Sequence, residues 1–326
     1  MPRQEKPLDV LFAGTALVDS IVRGFDPTPV SASGFRAASG TLSPGGEAVN
    51  GAVAAAKLGL RAGILCSLGT DGAGELVASC LRQAGVDITA MVRSEEHPTP
   101  VSTLLVREDG TRQSITNAAH RYNFHPEQYP EHLASARILV LGSLFRAPFD
   151  DPAVIRGVLE AAGDTVVFAD TKLPNFARLT LDDLRDALPR IDYIFPNEDE
   201  ARFYSGKEEP EEMADVFLRR GVKNVVIKLG GKGCFLKNRS ERIRLDAYRI
   251  DPVDATGAGD NFIAGFASAL LSGASHREAL RFANACGAIC ATAVGASAAL
   301  EGRDQVRRFM EAREDPVREC VETPSA

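Results

Sequence analysis

Short apolar runs alternate with helical segments along most of this chain, and that alternation constrains its fold more than any other feature. Residues 9–14 read as a first strand, 46–58 as an Ala-rich helix and 62–68 as the next strand. Residues 75–84 are helical up to Gly85. The runs 137–141, 165–169, 192–195 and 224–229 suit central parallel strands buried on both faces. Residues 152–162, 181–188 and 211–220 read as helices between them. The pattern predicts an α/β fold, a doubly wound and mostly parallel sheet flanked by helices. At 326 residues the chain can fold as a single domain without disulfide staples.

Two segments break the rhythm. Within 99–117, two extended runs flank Glu108-Asp109-Gly110, the signature of a β-hairpin with an Asp-Gly turn. The Gly/Ser/Pro-rich stretch 24–44 lacks helical periodicity. Two extended excursions from an α/β body suggest a small β-sheet that covers a cleft as a lid. A plain edge hairpin accounts for the same pattern.

Composition narrows the partners. A net charge of -7 with no local Lys/Arg block argues against nucleic acid, and so do the absence of Trp and an aromatic content of 6%. Neither argues against a nucleotide, because backbone donors and magnesium hold phosphates on acidic proteins. Cys286 and Cys290 stand one helical turn apart, but no histidine or second cysteine pair accompanies them, so reduced core thiols are expected. The polar start of the chain and the small-residue-rich run 282–300 give no reason to expect a membrane segment, and a cytoplasmic location is expected.

The run Asp254-Ala-Thr-Gly-Ala-Gly-Asp260 carries most of the chemistry. It leads into a helix on which Phe262, Phe266 and Leu270 repeat at spacing four. Gly257, Ala258 and Gly259 open that helix with unobstructed backbone N–H groups at the positive end of its dipole, a seat for an anion. Asp260 stands beside the seat. An ionised aspartate near its ordinary pKa of about 3.9 can orient a substrate hydroxyl and take its proton. Read alone, a Gly-rich turn and a dipole-complementing acid explain the same residues.

Here the chain resembles the ribokinase-like (PfkB) carbohydrate kinase family. The run 254–260 is similar to the family's second signature, with Ala255 where Thr, Ser, Pro or Val is usual. The first signature is matched by Gly45-Gly46-Glu-Ala-Val-Asn50-Gly-Ala52, continuing through Lys57-Leu-Gly59 to Gly69. The resemblance spans residues 9–312. It implies a ribokinase-like fold and transfer of the γ-phosphoryl group of ATP to a hydroxyl of a sugar or sugar-like molecule, with Mg2+ and, in some relatives, K+.

By the same resemblance Gly45, Gly46 and Asn50 touch the substrate, and Asp19 hydrogen-bonds its hydroxyls. Glycines admit close backbone approach, and an amide both donates and accepts. Asn197-Glu-Asp-Glu200 is similar to the Asn-x-x-Glu motif, so Asn197 and Glu200 are expected to hold water around magnesium. Lys228-Leu-Gly230-Gly-Lys-Gly233 looks like the Gly-x-x-Gly nucleotide loop. Lys228 departs from the usual Thr, which leaves a phosphate contact and a strand-end lysine equally open. Thr256 and Asn284 are implied at the ATP site, Asn284 near the adenine, and Gly295-Ala296 resemble a loop that closes the nucleotide pocket. Asp254 stands where some relatives bind a monovalent cation. Arg146 and Lys172 are candidates by position alone, in loops that follow strand ends.

A dehydrogenase needs Gly-x-Gly-x-x-Gly after the first strand, and Gly14-Thr-Ala-Leu17 lacks it. No P-loop run occurs either. A noncatalytic sugar-binding regulator would be expected to have lost Asp260. Within the kinases a free sugar is expected, with a nucleoside as the alternative. Pairing of the lid between protomers would make a homodimer.

Overall fold

The computed structural model describes residues 6–24, 34, 36–107, 111–117, 124–174, 179–296, 298–313 and 317–322. The chain opens with β1 (Leu8–Ala13), β2 (Leu17–Arg23), β3 (Ser39–Gly45) and α1 (Glu47–Lys57). Next come β4 (Ala62–Leu65), β5 (Ser67–Gly69), α2 (Gly72–Gln83), β6 (Val92–Ser94), β7 (Val101–Val106) and β8 (Arg112–Thr116). The middle holds α3 (Pro130–Leu133), β9 (Ala136–Leu144), α4 (Pro152–Ala161), β10 (Val166–Thr171) and β11 (Tyr193–Phe195). After them follow α5 (Glu198–Ser205), α6 (Pro210–Arg219), β12 (Asn224–Lys228), β13 (Cys234–Lys237) and β14 (Glu241–Leu245). The last elements are α7 (Ala258–Leu271), α8 (His276–Cys290), α9 (Arg303–Glu311) and β15 (Val317–Glu322).

Among the described residues the main sheet has nine strands in the order β15-β14-β13-β12-β11-β10-β9-β1-β4. The six strands from β12 to β4 run parallel, and β13 to β15 extend the sheet antiparallel. The parallel strands are buried on both faces because successive side chains point opposite ways. In β1, Val10 and Phe12 join one core with α1, α7 and α8, while Leu11 and Ala13 join a second with α4 and α6. Small residues bring the helices close: a Cβ on Gly265 of α7 would sit 2.8 Å from Cys286 Sγ of α8. That contact gives Cys286 a packing role.

A separate four-stranded sheet, β3-β2-β7-β8, joins the two excursions. β7 and β8 are the antiparallel hairpin expected there, and β2 pairs parallel to β7 and antiparallel to β3. The Asp-Gly turn at 108–110 lies outside the described residues, as do 25–33 and 35 of the second excursion. Asp19 lies within β2, inside this sheet.

Other differences have local causes. Residues 181–188, expected to be helical, form successive turns and a 3-10 turn at Leu188–Arg190. The segment closes mainly i→i−3 turns, such as Arg185 N to Asp182 O and Ala187 N to Leu184 O, and Pro189, which lacks a backbone N–H, stops it from continuing as a helix. α2 begins at Gly72 rather than 75 because the Asp71 carboxylate caps it, accepting from Gly74 N at 2.8 Å. Among the described residues no helix is long and apolar enough to cross a membrane.

Candidate active site

The parallel strands deliver their C-terminal ends to one edge of the sheet, the edge where open α/β folds build clefts. Thr15 follows β1, Asp170 and Thr171 end β10, Asn197 follows β11 and Lys228 ends β12. The N-termini of α1 and α7 meet at this edge. There the side-chain amide of Asn50 donates to Asp260 Oδ2 at 2.8 Å, across 210 residues of sequence. The two signature runs are thus one site in space.

Asp260 lies in the first turn of α7, behind Gly257. Gly257 holds a left-handed φ of +77°, and a Cβ there would sit 2.4 Å from the Ala296 Cβ. Only glycine makes that turn without strain. Burial pushes the Asp260 carboxyl up to about 6. Lys172 and the Asn50 hydrogen bond pull it down, while Asp170 and Glu47 push it further up. The expectation of an ordinary carboxylate pKa is corrected accordingly, because the group is withdrawn from water among other acids. A base poised near 6 is still mostly ionised at neutral pH and has a stronger hold on a proton than an ordinary aspartate.

The substrate side is built by β2, β3 and α1. A Cβ on Gly45 would lie 2.2 Å from Asp19 Oδ2, so the Asp19 carboxylate rests directly on the glycine backbone. Burial raises the Asp19 pKa. Gly46 turns the chain into α1, where Asn50 is buried. Glu47, in the first turn of α1, accepts from Thr15 N at 2.8 Å and ties β1 to α1.

Asn197 and Glu200 form a reciprocal capping box at the start of α5. Asn197 Oδ1 accepts from Glu200 N at 2.8 Å, and Glu200 Oε2 accepts from Asn197 N at 2.9 Å. Glu200 Oε2 also accepts from Thr171 Oγ1 at 2.8 Å. Burial raises the Glu200 pKa against the pull of Lys228. Glu200 is buried and its Oε2 is engaged by these bonds, while Asn197 is exposed at the start of α5.

Asp254 Oδ1 accepts from Thr256 N at 3.0 Å and from Thr256 Oγ1 at 2.6 Å. Its Oδ2 accepts from Gly295 N at 3.2 Å, and Arg23 Nη2 of β2 stands 3.9 Å away. The second signature, the loop at 295 and the small sheet therefore meet at this carboxylate. Gly230 and Gly233 bracket the tight turn between β12 and β13, and a Cβ on Gly233 would strike Leu245 O at 1.9 Å. Asn284 is buried in α8, and its Nδ2 donates to Asp246 O at 2.7 Å. Arg146 Nε donates to Leu173 O at 2.6 Å.

The residue that sequence reasoning missed is Asp170, 2% exposed at the end of β10. Its Oδ1 lies 2.5 Å from Lys228 Nζ and its Oδ2 lies 3.6 Å from Lys172 Nζ. The available signal was the acid that ends an apolar strand, one residue beyond the expected boundary at 169.

A groove of about 1560 Å³ lies at the opposite edge of the sheet, lined by Lys6, Arg61, Arg137, Asp164 and Asp192 among others. Its charges answer one another, with Lys6 on Asp164 at 3.1 Å and Lys223 on Asp192 at 2.6 Å. The convergent polar groups lie at the other edge, around Asp260.

Residues 15–303 match the pfkB family carbohydrate kinase description. The chain is 30% identical over 278 residues to a ribokinase of Haemophilus influenzae, covering 83% of this chain and 88% of that one. It is 28% identical over 320 residues to fructokinase-1 of Oryza sativa subsp. japonica, covering 93% and 97%. In structure it is similar to Arabidopsis thaliana ribokinase solved with ribose and ATP, with a TM-score of 0.80 and 26% identity over 93% of this chain and 99% of that one.

Proposed function

The chain belongs to the pfkB family of carbohydrate kinases, phosphotransferases that act on sugar hydroxyls, and from that premise we propose that it transfers the γ-phosphoryl group of ATP to a hydroxyl of a free sugar. The observation that carries the reading is the 2.8 Å bond between Asn50 and Asp260. It sets the amide assigned to the sugar against the carboxylate assigned to its reacting proton.

Asp19, Asn50 and the Gly45-Gly46 backbone hold the sugar, and the small sheet covers it as a lid. Asp260 orients the attacking hydroxyl and takes its proton as the new O–P bond forms. The Gly257, Ala258 and Gly259 amides face the charge that develops on the transferred group. Asn197 and Glu200 would order water around a magnesium ion bound with ATP, whose charge would neutralise that of the phosphates. Gly230, Gly233, Thr256 and Asn284 frame the nucleotide side, Thr256 and Asn284 through the Asp254 and Asp246 loops. Asp254 Oδ2 accepts one hydrogen bond, from Gly295 N, among the described residues and is the oxygen that would meet a monovalent cation; no step is assigned to one.

Measuring ADP release with Mg-ATP against free sugars, polyols, sugar acids, sugar phosphates and nucleosides tests the reading. A free sugar is the expected best substrate. Preference for a nucleoside would shift the assignment within the family, and Mg-ATP binding without turnover on any compound would favour a noncatalytic sugar sensor.

A further inference from the structure

We infer that Lys228, held by the buried carboxylate of Asp170, is a catalytic cation that reaches the transferred phosphoryl group from beside Gly259. The inference rests on the kinase reading and adds a residue to it. Four observations meet here. A Cβ built on Gly259 would lie 3.3 Å from Lys228 Nζ, which puts the ammonium against the backbone of the anion seat. Lys228 contacts Asp170 Oδ1 at 2.5 Å, and an ammonium has three donors, so that one bond leaves others to point elsewhere. The Lys228 side chain keeps 13% exposure, enough to meet a ligand in the cleft. Asp170 Oδ2 is buried and accepts no hydrogen bond among the described residues, with Lys172 Nζ 3.6 Å away.

A purely structural ion pair explains these facts poorly. Burying a carboxylate costs several kcal/mol, and well-packed apolar residues commonly replace buried ion pairs without loss of stability. An under-satisfied acid between two lysines is a costly arrangement, and this one stands beside Gly259 and Asp260. Its use is to fix an ammonium in place before the phosphoryl group arrives, which avoids reorganisation during reaction. Burial works to raise the Asp170 pKa, yet Lys228 and then Lys172 outweigh it and hold the carboxyl below its ordinary value, so the anchor stays charged. Asp170 is then a positioning residue, and Lys228 takes a part that the residue types at the usual Thr position do not carry.

The test is the paired variant Asp170→Asn/Lys228→Met, which removes the lysine and its anchoring acid together. Calorimetric titration with Mg-ADP and with the non-hydrolysable Mg-AMP-PNP is read beside melting temperature and turnover. The expected result is a melting temperature close to wild type, unchanged Mg-ADP affinity, Mg-AMP-PNP binding about 10-fold weaker and turnover lower by about 10². Lys228→Arg, which keeps the charge, should retain the preference for the triphosphate. A paired variant with wild-type turnover and wild-type Mg-AMP-PNP affinity would overturn the inference while the kinase reading stands. Wild-type protein that binds neither nucleotide would overturn both.

Discussion

Replacing Asp260 by Asn should stabilise the protein at neutral pH while removing the proposed base. The carboxyl is raised from its ordinary value of 3.8 to about 6 by burial. An acid with a raised folded pKa favours the folded state most below its unfolded pKa, and loses that contribution as pH rises towards the folded value. The loss therefore develops between about pH 4 and pH 6. Carried through, ionised Asp260 costs about 3 kcal/mol at pH 7 and about 0.5 kcal/mol at pH 4. Asparagine removes the charge and still offers Asn50 an oxygen acceptor at the same place. Thermal melts of the two proteins across pH 4 to 8 measure the difference. At about 2 cal/mol/K of unfolding entropy per residue over 326 residues, the variant should melt roughly 4–5 °C higher at pH 7. The gap should close towards pH 4. A variant that melts at or below wild type at pH 7, or a gap independent of pH, would refute the desolvation argument.

Two further outcomes follow from the same geometry. Asn50→Ala removes an N–H that favours the charged form of Asp260, a bond to a charged group worth about 1.5–3 kcal/mol, so the acid limb of kcat/KM should move from about pH 6 to about pH 7 or higher. A limb that stays at pH 6 would show that the bond does not govern the base. Gly45→Ala drives a methyl group onto Asp19 Oδ2, and steady-state kinetics should show a sugar KM raised about 10-fold or more with a smaller change in kcat. An unchanged KM would remove Asp19 from the sugar site.

Much of this architecture can be read from the sequence because it rests on local patterns. The apolar runs 137–141, 192–195 and 224–229 fall on parallel strands, as their composition suggests. The helix opened by Gly257-Ala-Gly259 follows from its caps and periodicity. The Leu181–Leu188 region misleads because its apolar spacing suits a helix, while the chain there closes mainly i→i−3 turns and ends at Pro189. The place of Asp19 in β2 depends on pairing with residues 39–45 and 101–106, which a single strand's composition does not reveal. The same limit hides the cluster of Asp170, Lys172 and Lys228. Each residue reads as an ordinary strand-end charge, and only the parallel register of β10, β11 and β12 brings them together.

Turnover of Asp260→Asn, measured beside wild type on the best free sugar with saturating Mg-ATP, tests the central claim most directly. The account predicts turnover lower by roughly 10²–10⁴ with Mg-ATP affinity little changed, because the carboxylate acts on the attacking hydroxyl and not on the nucleotide. Equal turnover in the two proteins would contradict it, and would move the proton-accepting role away from α7.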